Sequence, residues 1–561
     1  MDKKSILISS SKAIFTVCML ILYKILFGPE NISIGLMFAF SVIAFLKLDL
    51  SLYPLYRGTV FVALSFFLLV MSFLAGLNPF LGLIINIFTI FIVSYLYMKE
   101  SKNMVSYLFL FIYIYMVSIN VPVNLLPKRF LSLMFGVLVI IISQLLFNKN
   151  KFSKKSSKLL LDGLLSIKEE INNLLENNKK FNTSILNNKM RELLNLINEQ
   201  NSSIFFSTIL FKHYFNIAIS LERLAITIDK INLLDDLNIR CSFLNDLNLE
   251  ISNLINIISK KNHNTIGFSL KYKDNFKKYP LLKECSDLLN ILNTNFLFLN
   301  DYKYKIKITL KDIKLKKKNI NINSLDCNFS IKVALAVSIP LFFIELFSIP
   351  NGKWIIITIY VLLQPLSDDT IIKTKKRIKG TVIAVSLFIL IFGILSINIP
   401  ETLFLFVVLF FYFYAKDYYI KVIFTSLLAL SVNLSNCSLE FLSTTRFTFI
   451  IVGSIIALLV NKYLLPYTKV HHTNSLKDKY LILSNSLTKE LCNLVDGNIN
   501  EDRLIKLALH SNLIESKLLL IANNLNDSSL KNIISSENKI IKSIRFSILN
   551  IYSSKIKRSL S

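Results

Sequence analysis

Charged residues are scarce in this sequence, and the motifs of a soluble enzyme are missing from it. Only 18% of the 561 residues are charged, whereas a soluble globular chain carries about 25%. The six cysteines are scattered without a Cys-x-x-Cys pair, so the sequence indicates neither a disulfide framework nor a zinc site. It has no Gly-rich phosphate-binding loop. A nucleophile, a base and an orienting acid do not occur together in a recognisable motif, and we expect neither an enzyme nor a bound cofactor or metal.

Long apolar runs are abundant instead. Hydrophobic residues make up 53% of the chain, and the mean hydropathy is +0.54. Runs of about 18 residues are long enough to cross the hydrocarbon core of a bilayer as a helix. Apolar runs occur near residues 13–27, 32–46, 59–76, 80–98, 104–121 and 130–147, and again near 329–347, 353–365, 380–397, 400–415, 420–434 and 447–465. The sequence therefore predicts an all-α, polytopic membrane protein.

The chain divides into four blocks by composition. Residues 1–147 form a first transmembrane repeat of about six helices, and residues 329–466 form a second. The two polar blocks, 148–328 and 467–561, place Leu and Ile at spacings of three and four with charges between them. This spacing is typical of amphipathic helices with one buried stripe. We expect both polar blocks to be helical cytoplasmic domains.

The net charge of +28 is better explained by membrane topology than by nucleic-acid binding. Basic residues are favoured on the cytoplasmic side of a membrane protein and beside an anionic leaflet. Lys3, Lys47 and Arg57 flank the early spans, and the cluster 373–379 is predicted to be a basic connection before the span near 380. All these positions fall on one side if the spans alternate. Both termini are therefore predicted to be cytoplasmic, with the lipid bilayer as the main partner and no nucleic acid.

The two membrane blocks resemble each other in polar positions as well as in hydropathy. The segment "YRGTVFVALSFFLLVMSFLAGLNP" at 56–79 aligns with "IKGTVIAVSLFILIFGILSINIP" at 378–400. The last span of each block shares an arginine, a glycine and an amide at equal spacing: Arg129, Gly136 and Gln144 against Arg446, Gly453 and Asn461. Two blocks of six spans have the same orientation, so the pattern predicts parallel repeats about an axis along the membrane normal.

The segment "WIIITIYVLLQPLSDDTIIKTKKRIKGT" carries a family resemblance. It contains Trp354, Thr358, Gln364-Pro365, Thr370, Arg377 and Gly380-Thr381 in order, and a later helix contains Arg446, Gly453 and Pro466. This pattern resembles the signature of the fusaric-acid-resistance-like (FUSC) proteins, which include bacterial aromatic acid exporters. The resemblance implies an efflux transporter of organic anions, plausibly aromatic carboxylic acids, in a bacterial plasma membrane. It leaves open a homo-oligomer or an accessory protein as a partner.

Two other functions remain open at this point. An anion channel could also use the basic residues predicted on the cytoplasmic side to attract anions. A membrane scaffold or regulator would act through the cytoplasmic helices, since the polar blocks make up nearly half of the chain.

The Gln364-Pro365 break supplies the first candidate pathway residues. A helix broken inside a bilayer frees backbone groups that need protein or water partners, so such a break often lines a cavity. Gln364, Thr370 and Thr358 would then offer polar contacts to a carboxylate. The alternative is an ordinary helix end stopped by Pro365. The segment with Arg377, Gly380 and Thr381 is expected to face an inner vestibule whose basic rim attracts anions.

Three isolated charges complete the candidate set. Arg129 and Arg446 open the last helix of each repeat, either as interfacial anchors that snorkel or as symmetric anion-binding groups. Glu345 lies inside the apolar stretch "KVALAVSIPLFFIELF". Its carboxyl is either a proton acceptor that couples export to proton entry or an ordinary solvated carboxylate near the end of its span.

Overall fold

The computed structural model describes residues 3–52, 54–98, 104–177, 182–202, 209–259, 272, 275–276, 278–302, 324–395, 400–431, 438–495 and 501–560. All regular secondary structure in these residues is helical, which confirms the all-α class. The chain forms two compact units. We call Met1–Asn150 with Asn319–His472 the membrane unit, and Lys151–Lys318 with Thr473–Ser561 the helical unit.

The α-helices are numbered in chain order. They are α1 Lys3–Phe27, α2 Ile32–Phe45, α3 Pro54–Ala75, α4 Pro79–Tyr97, α5 Met104–Ser118, α6 Leu126–Phe147, α7 Lys151–Asn177, α8 Ser184–Ser202, α9 Ile209–Ile231, α10 Leu237–Ser259, α11 Pro280–Tyr302, α12 Leu325–Leu346, α13 Lys353–Leu362, α14 Ser367–Phe388, α15 Glu401–Tyr414, α16 Tyr418–Ser431, α17 Leu439–Tyr463, α18 Lys469–Val495, α19 Glu501–Leu525 and α20 Ser528–Leu560. The membrane unit thus has a first half, α1–α6, and a second half, α12–α17.

Seven helical segments are long and apolar enough to cross a membrane, judged by length and composition. They are Lys3–Phe27, Pro54–Ala75, Pro79–Tyr97, the segment that starts at Val123, Leu325–Leu346, Ser367–Ile394 and Leu439–Tyr463. Shorter apolar helices of 10–17 residues include α2, α5, α13, α15 and α16. The chain is a multi-pass membrane protein.

The two halves pack against each other reciprocally. The first helix of each half lies against the fourth helix of the other, so α1 packs on α15 and α12 packs on α4. Inside each half, the sixth helix packs on the second and the third. Reciprocal contacts of this kind are what a two-fold arrangement of related units produces. A further contact, between α5 and α13, also joins the halves.

Glycines allow the sixth helix to approach the second helix closely in both halves. A Cβ on Gly136 would lie 2.3 Å from the ring of Phe38 in α2, and a Cβ on Gly453 would lie 2.9 Å from Cβ of Thr358 in α13. Real Cβ atoms do not make contacts this short. The equivalent glycines therefore have the same packing role.

One predicted boundary is wrong in the second half. The cluster 373–379 was expected to connect two spans, but it lies inside α14, which begins at Ser367. Lys and Arg are good helix formers. Asp368 and Asp369 in the first turn stabilise the start of the helix, because their negative charges interact with the positive end of the helix dipole. A π-helical turn, Ile389–Ile394, continues this helix.

The helical unit contains both polar blocks. Its core is built from the apolar stripes of α7–α11 together with the C-terminal helices. The tail helices α19 and α20 pack on α8 and α9, and Arg191 of α8 forms an ion pair with Glu515 of α19 at 2.8 Å. The tail is therefore an integral part of the fold of this unit.

Candidate functional site

Nearby side chains satisfy part of the backbone at the break after α13. The helix ends at Leu362, and the Lys373 ammonium donates to the carbonyl of Val361 at 2.6 Å. The Gln364 side chain donates to the carbonyl of Leu363 at 2.7 Å, and the Gln364 backbone N–H donates to the Thr370 hydroxyl at 3.1 Å. Gln364 and Thr370 thus cap the end of α13, next to Pro365.

Three other motif residues serve helix packing. The Thr358 hydroxyl is buried and donates to the carbonyl of Trp354 at 2.7 Å. The Thr381 hydroxyl is bonded in the same way to the carbonyl of Arg377 at 2.9 Å. A Cβ on Gly380 would lie 2.9 Å from Val422 and 3.0 Å from a backbone oxygen of α16, so Gly380 sets the close approach of α14 to α16.

Arg446 is buried in the second half without a hydrogen-bond partner among the described residues. Its side chain is 3% exposed, and its Cζ lies 4.2 Å from the centre of the Trp354 ring. A guanidinium over an indole face gains a cation–π interaction, but this contact uses none of its N–H donors. Buried Nε and Nη1 have no partner in the described structure. Arg446 is therefore held in place by a ring while its hydrogen-bonding capacity is unused.

Arg377 is buried in the same part of the second half. It is 5% exposed, whereas its neighbours Lys375 and Lys376 are exposed. The sequence predicts that Arg377 faces a vestibule with a basic rim. Its burial shows instead that Arg377 does not lie on a solvent-facing surface. Its Nε has no partner within the described residues. Arg377 and Arg446 are close enough to interact electrostatically, and no carboxylate in the described part of the chain pairs with either of them.

One face of α5 in the first half carries aromatic residues, and two of its tyrosines lie within electrostatic range of these arginines. Tyr107, Phe111 and Tyr115 follow one another at every fourth position of α5 and so share a face of that helix. Tyr115 lies within electrostatic range of both arginines. The Tyr360 ring of α13 stacks on Tyr107 with centroids 5.2 Å apart and packs against Phe111. This α5 aromatic stripe was not identified from the sequence, although its four-residue spacing was a detectable signal.

Arg129, at the equivalent position of the first half, has protein partners for Nε and Nη1, while its buried Nη2 has none among the described residues. It is 2% exposed, so it is buried and does not snorkel. Its Nη1 donates to the carbonyl of Ile119 at 2.7 Å and to that of Met116 at 3.4 Å, and its Nε donates to Asn31 Oδ1 at 3.3 Å. It therefore caps the end of α5 and ties α6 to the start of α2. It also lines a small cavity of about 60 Å³.

Glu345 lies at the packed interface between α12 and α4, where the two halves meet. A Cβ on Gly82 would lie 3.4 Å from Glu345 Oε2, and Glu345 Oε1 is buried without a partner in the described structure. The Tyr113 hydroxyl, which is within electrostatic range of Glu345, donates to Asn86 Oδ1 at 2.6 Å. Glu345 is therefore distant in sequence and separate in contacts from the two arginines.

Buried and partly buried charges in the helical unit form ion pairs and hydrogen bonds with other side chains. Glu515 accepts from Arg191 and from Asn538, and Arg223 pairs with Glu284 at 2.6 Å. Burial raises the pKa of Glu222, while nearby Arg545 acts in the opposite direction. No group of three or more His, Cys, Asp or Glu side chains that could hold a metal occurs among the described residues.

The arrangement of Arg377, Arg446 and the α5 aromatic stripe is suited to an aromatic anion. Two guanidinium groups in a low-dielectric interior can donate charge-assisted, bidentate hydrogen bonds to a carboxylate. An uncompensated buried cation is costly, and a bound anion would remove that cost. The flanking rings can take the apolar part of the same ligand by stacking.

Comparison with known proteins supports a family for the second half. Residues 336–460 match the family model described as fusaric acid resistance protein-like. This range includes Trp354, Arg377 and Arg446, and it leaves out all of the first half. No curated protein and no solved structure matched the chain.

Proposed function

We propose that this chain, which belongs through its second membrane repeat to the fusaric acid resistance protein-like family, exports organic anions, with aromatic carboxylates as the preferred class. The family is one of membrane transport of small molecules. The observation that carries the choice of substrate is the pair of buried arginines, Arg377 and Arg446, which lack acidic partners and lie beside aromatic rings. The expected location is a bacterial plasma membrane with both termini in the cytoplasm.

The expected charge of the substrate follows from the cost of burying two cations without acidic partners in the described structure. An arginine inside a membrane span costs about 2.5–3.5 kcal/mol on insertion scales. Two such groups placed near each other also repel, because their charges have the same sign. A carboxylate bound beside them would accept hydrogen bonds from N–H groups that have no partner in the described structure. A neutral or cationic substrate would leave the unfavourable charge in place.

The ring of the substrate follows from the neighbours of those arginines. One face of the Trp354 ring lies against Arg446, and Tyr115 lies within electrostatic range of both arginines. An aromatic pair contributes about 0.5–1.5 kcal/mol beyond the area that it buries. The site should therefore prefer a flat aromatic acid to a saturated acid of similar size.

The single tryptophan of the chain makes this proposal directly measurable. Trp354 is the only tryptophan in 561 residues and lies against Arg446, so its fluorescence reports on the proposed site alone. The purified full-length protein would be titrated with benzoate, cyclohexanecarboxylate and benzamide. We expect a saturable change with benzoate, an affinity about two- to tenfold lower for cyclohexanecarboxylate, and no response to benzamide.

Arg446→Ala should abolish the response to benzoate and Arg377→Ala should weaken the affinity about 100-fold, whereas Lys376→Ala, at an exposed neighbouring position, should leave it nearly unchanged. A response that is equal for benzamide and benzoate, or one that survives in both arginine variants, would overturn the assignment. Efflux of labelled benzoate from cells with and without the protein would then test transport itself.

An anion channel could use the same arginines, and the two functions differ in rate. A carrier must reorganise for each substrate, so it turns over no faster than its μs–ms conformational steps allow. Reconstituted protein that shows single-channel current steps in benzoate would replace the exporter with a channel. Counterflow of labelled against unlabelled benzoate, without measurable current steps, supports the exporter.

A test of a scaffold role for the polar blocks requires a milder change than deletion of the tail. Because α19 and α20 complete the core of the helical unit, deletion of 475–561 would unfold that unit as well as remove the tail. Exposed positions of α18, such as Ile482, can be changed without loss of core packing. Ile482→Lys should leave benzoate efflux intact if the helical unit acts on partners and not in transport.

A further inference from the structure

The interface between α4 and α12 contains a polar cluster that the proposed anion site does not use. Its members are buried except Glu345, which is partly exposed and has a buried Oε1 atom. On α12, Ser338 and Glu345 are seven residues apart and therefore lie on one face, two turns from each other. On α4, Gly82, Asn86 and Thr89 share a face in the same way, and Asn86 and Thr89 are fully buried. We call Asn86, Thr89, Tyr113, Ser338 and Glu345 the interface polar cluster.

Two pairs of residues indicate how α4 and α12 are oriented relative to each other. Near one end, Gly82 is in contact with Glu345. Near the other end, Tyr95 of α4 is within electrostatic range of Asp326 and Cys327 of α12. The two helices are therefore antiparallel along their whole length. Seven residues separate Glu345 from Ser338 on α12 and Gly82 from Thr89 on α4, so the Gly82–Glu345 contact puts Ser338 near the level of Thr89, with Asn86 about one turn away.

Several polar atoms of this cluster have no partner among the described residues. They include Glu345 Oε1, Asn86 Nδ2 and Ser338 Oγ, and each of these atoms is buried. The described structure provides no lysine, arginine or histidine that pairs with Glu345, and Tyr113 is the one titratable group of the packed helices that interacts with it. An ionised carboxylate in such a place lacks the hydrogen bonds that it needs.

We propose that the Glu345 carboxyl is a proton-binding site, shared between the two halves, whose protonation favours the conformer in which the anion site is assembled. This inference rests on the proposed anion-binding function and adds its regulation. A neutral carboxylic acid can donate its proton to a neighbour and tolerates the dry packing of α12 on α4. An ionised carboxylate favours water entry and separation of the same surfaces.

The link from Glu345 to the anion site is short. Ile344, next to Glu345, packs on Gly352, where a Cβ would lie 2.6 Å from the Ile344 side chain. Trp354 follows two residues later. In addition, α12 packs on both α13 and α17, the helices that carry Trp354 and Arg446. A change in the packing of α12 therefore reaches the two residues that form the proposed site.

The sign of the coupling follows from structure and from Coulomb's law together. The conformer described here has both a closed α4–α12 interface and two arginines with unused donors. Protonation also removes a negative charge from the membrane unit, and a negative charge opposes binding of an anion. Anion affinity should therefore rise as the pH falls.

The test is the pH dependence of benzoate affinity, measured through Trp354 fluorescence from about pH 5.5 to about pH 8.5, a range that brackets buried carboxyl groups. In the unaltered protein the affinity should fall about fivefold or more across this range, with a slope of at most about tenfold per pH unit for one linked proton. Glu345→Gln, which mimics the neutral acid, should bind with the low-pH affinity at every pH.

Glu440→Gln is the matched control, because Glu440 is an exposed acid of the membrane unit, and it should keep the pH dependence. A flat profile in the unaltered protein, or an unchanged profile in Glu345→Gln, would overturn the proton site while leaving the anion site standing. The same shift produced at constant pH by replacing choline with sodium would also overturn it in favour of a cation site. Absence of any benzoate response at any pH would instead refute the proposed function.

Discussion

Arg129 and Arg446 occupy equivalent positions in the two halves of the membrane unit, yet they have different surroundings. Each lies near the start of the sixth helix, and each approaches the start of the second helix of its own half. Arg129 donates to the amide oxygen of Asn31 there and to two backbone carbonyls at the end of α5. Arg446 meets the Trp354 ring and keeps its donors free within the described structure.

The difference extends to the second arginine of each half. Arg57 of α3 is buried in the first half but interacts electrostatically with Asp49. Arg377 of α14 is buried in the second half without an acid among the described residues. Both arginines of the first half thus interact with groups of their own half, while Arg377 and Arg446 have no acidic partner within the described structure.

The aromatic partners are distributed unequally as well. The α5 stripe of Tyr107, Phe111 and Tyr115 belongs to the first half but faces the cations of the second. The corresponding helix of the second half, α16, ends in "TSLLALS" with no aromatic residue. An approximate two-fold arrangement would allow two equivalent sites, and the side chains complete one of them.

The largest expected effect concerns Arg377 against its exposed neighbour. Arg377→Ala should weaken benzoate binding about 100-fold, because a hydrogen bond to a charged group contributes about 1.5–3 kcal/mol and the charge itself is lost. Lys376→Ala should change the affinity less than about twofold, since exposed charges are screened. Fluorescence titration of both variants checks the pair. Equal losses would mean that the basic surface, and not the buried pair, attracts the anion.

The equivalent glycines offer the opposite test, because they are expected to behave alike. Gly136→Ala and Gly453→Ala should each destabilise the membrane unit by about 1–3 kcal/mol through overpacking. Gly58→Ala is the control, since the nearest side-chain atom would lie 3.5 Å from its Cβ and alanine favours a helix. Thermal unfolding in detergent measures all three. A neutral Gly136→Ala would show that the halves do not share this helix contact.

A smaller effect is expected from the helical unit, where buried charges are mostly paired. Burial raises the pKa of Glu222, so the folded state binds its proton more tightly than the unfolded state does. Stability should therefore fall as the pH rises from about 4.3, the value for an unfolded glutamate, through the folded-state pKa. Above that pKa the cost of the buried charge is fully present.

Glu222→Gln removes this ionisation and should flatten the pH profile of denaturant unfolding followed by circular dichroism. Glu192→Gln, which breaks an exposed pair with Lys155, should keep the original slope. An unchanged slope in Glu222→Gln would assign the pH dependence to other groups.

The helical class and the layout of the apolar helices could be predicted from hydropathy, because bilayer thickness restricts the length of a span. The start of α14 could not be predicted. The positive-inside rule places a basic segment in a connection between spans, whereas lysine and arginine also form helices readily. The resemblance of Arg129 and Arg446 in sequence also concealed their difference. What separates them is the partner at the start of the second helix, Asn31 or Trp354, which lies about 100 residues away in the chain.

The central claim is that one of the two equivalent arginines binds the anion and the other holds the fold. The decisive measurement is the thermal stability and the benzoate affinity of Arg129→Ala and Arg446→Ala, made on the same preparations. We predict that Arg129→Ala loses about 3 kcal/mol of stability while its folded fraction binds benzoate normally, and that Arg446→Ala stays stable but no longer binds. Equal loss of affinity in both variants, or normal binding by Arg446→Ala, would contradict this division of roles.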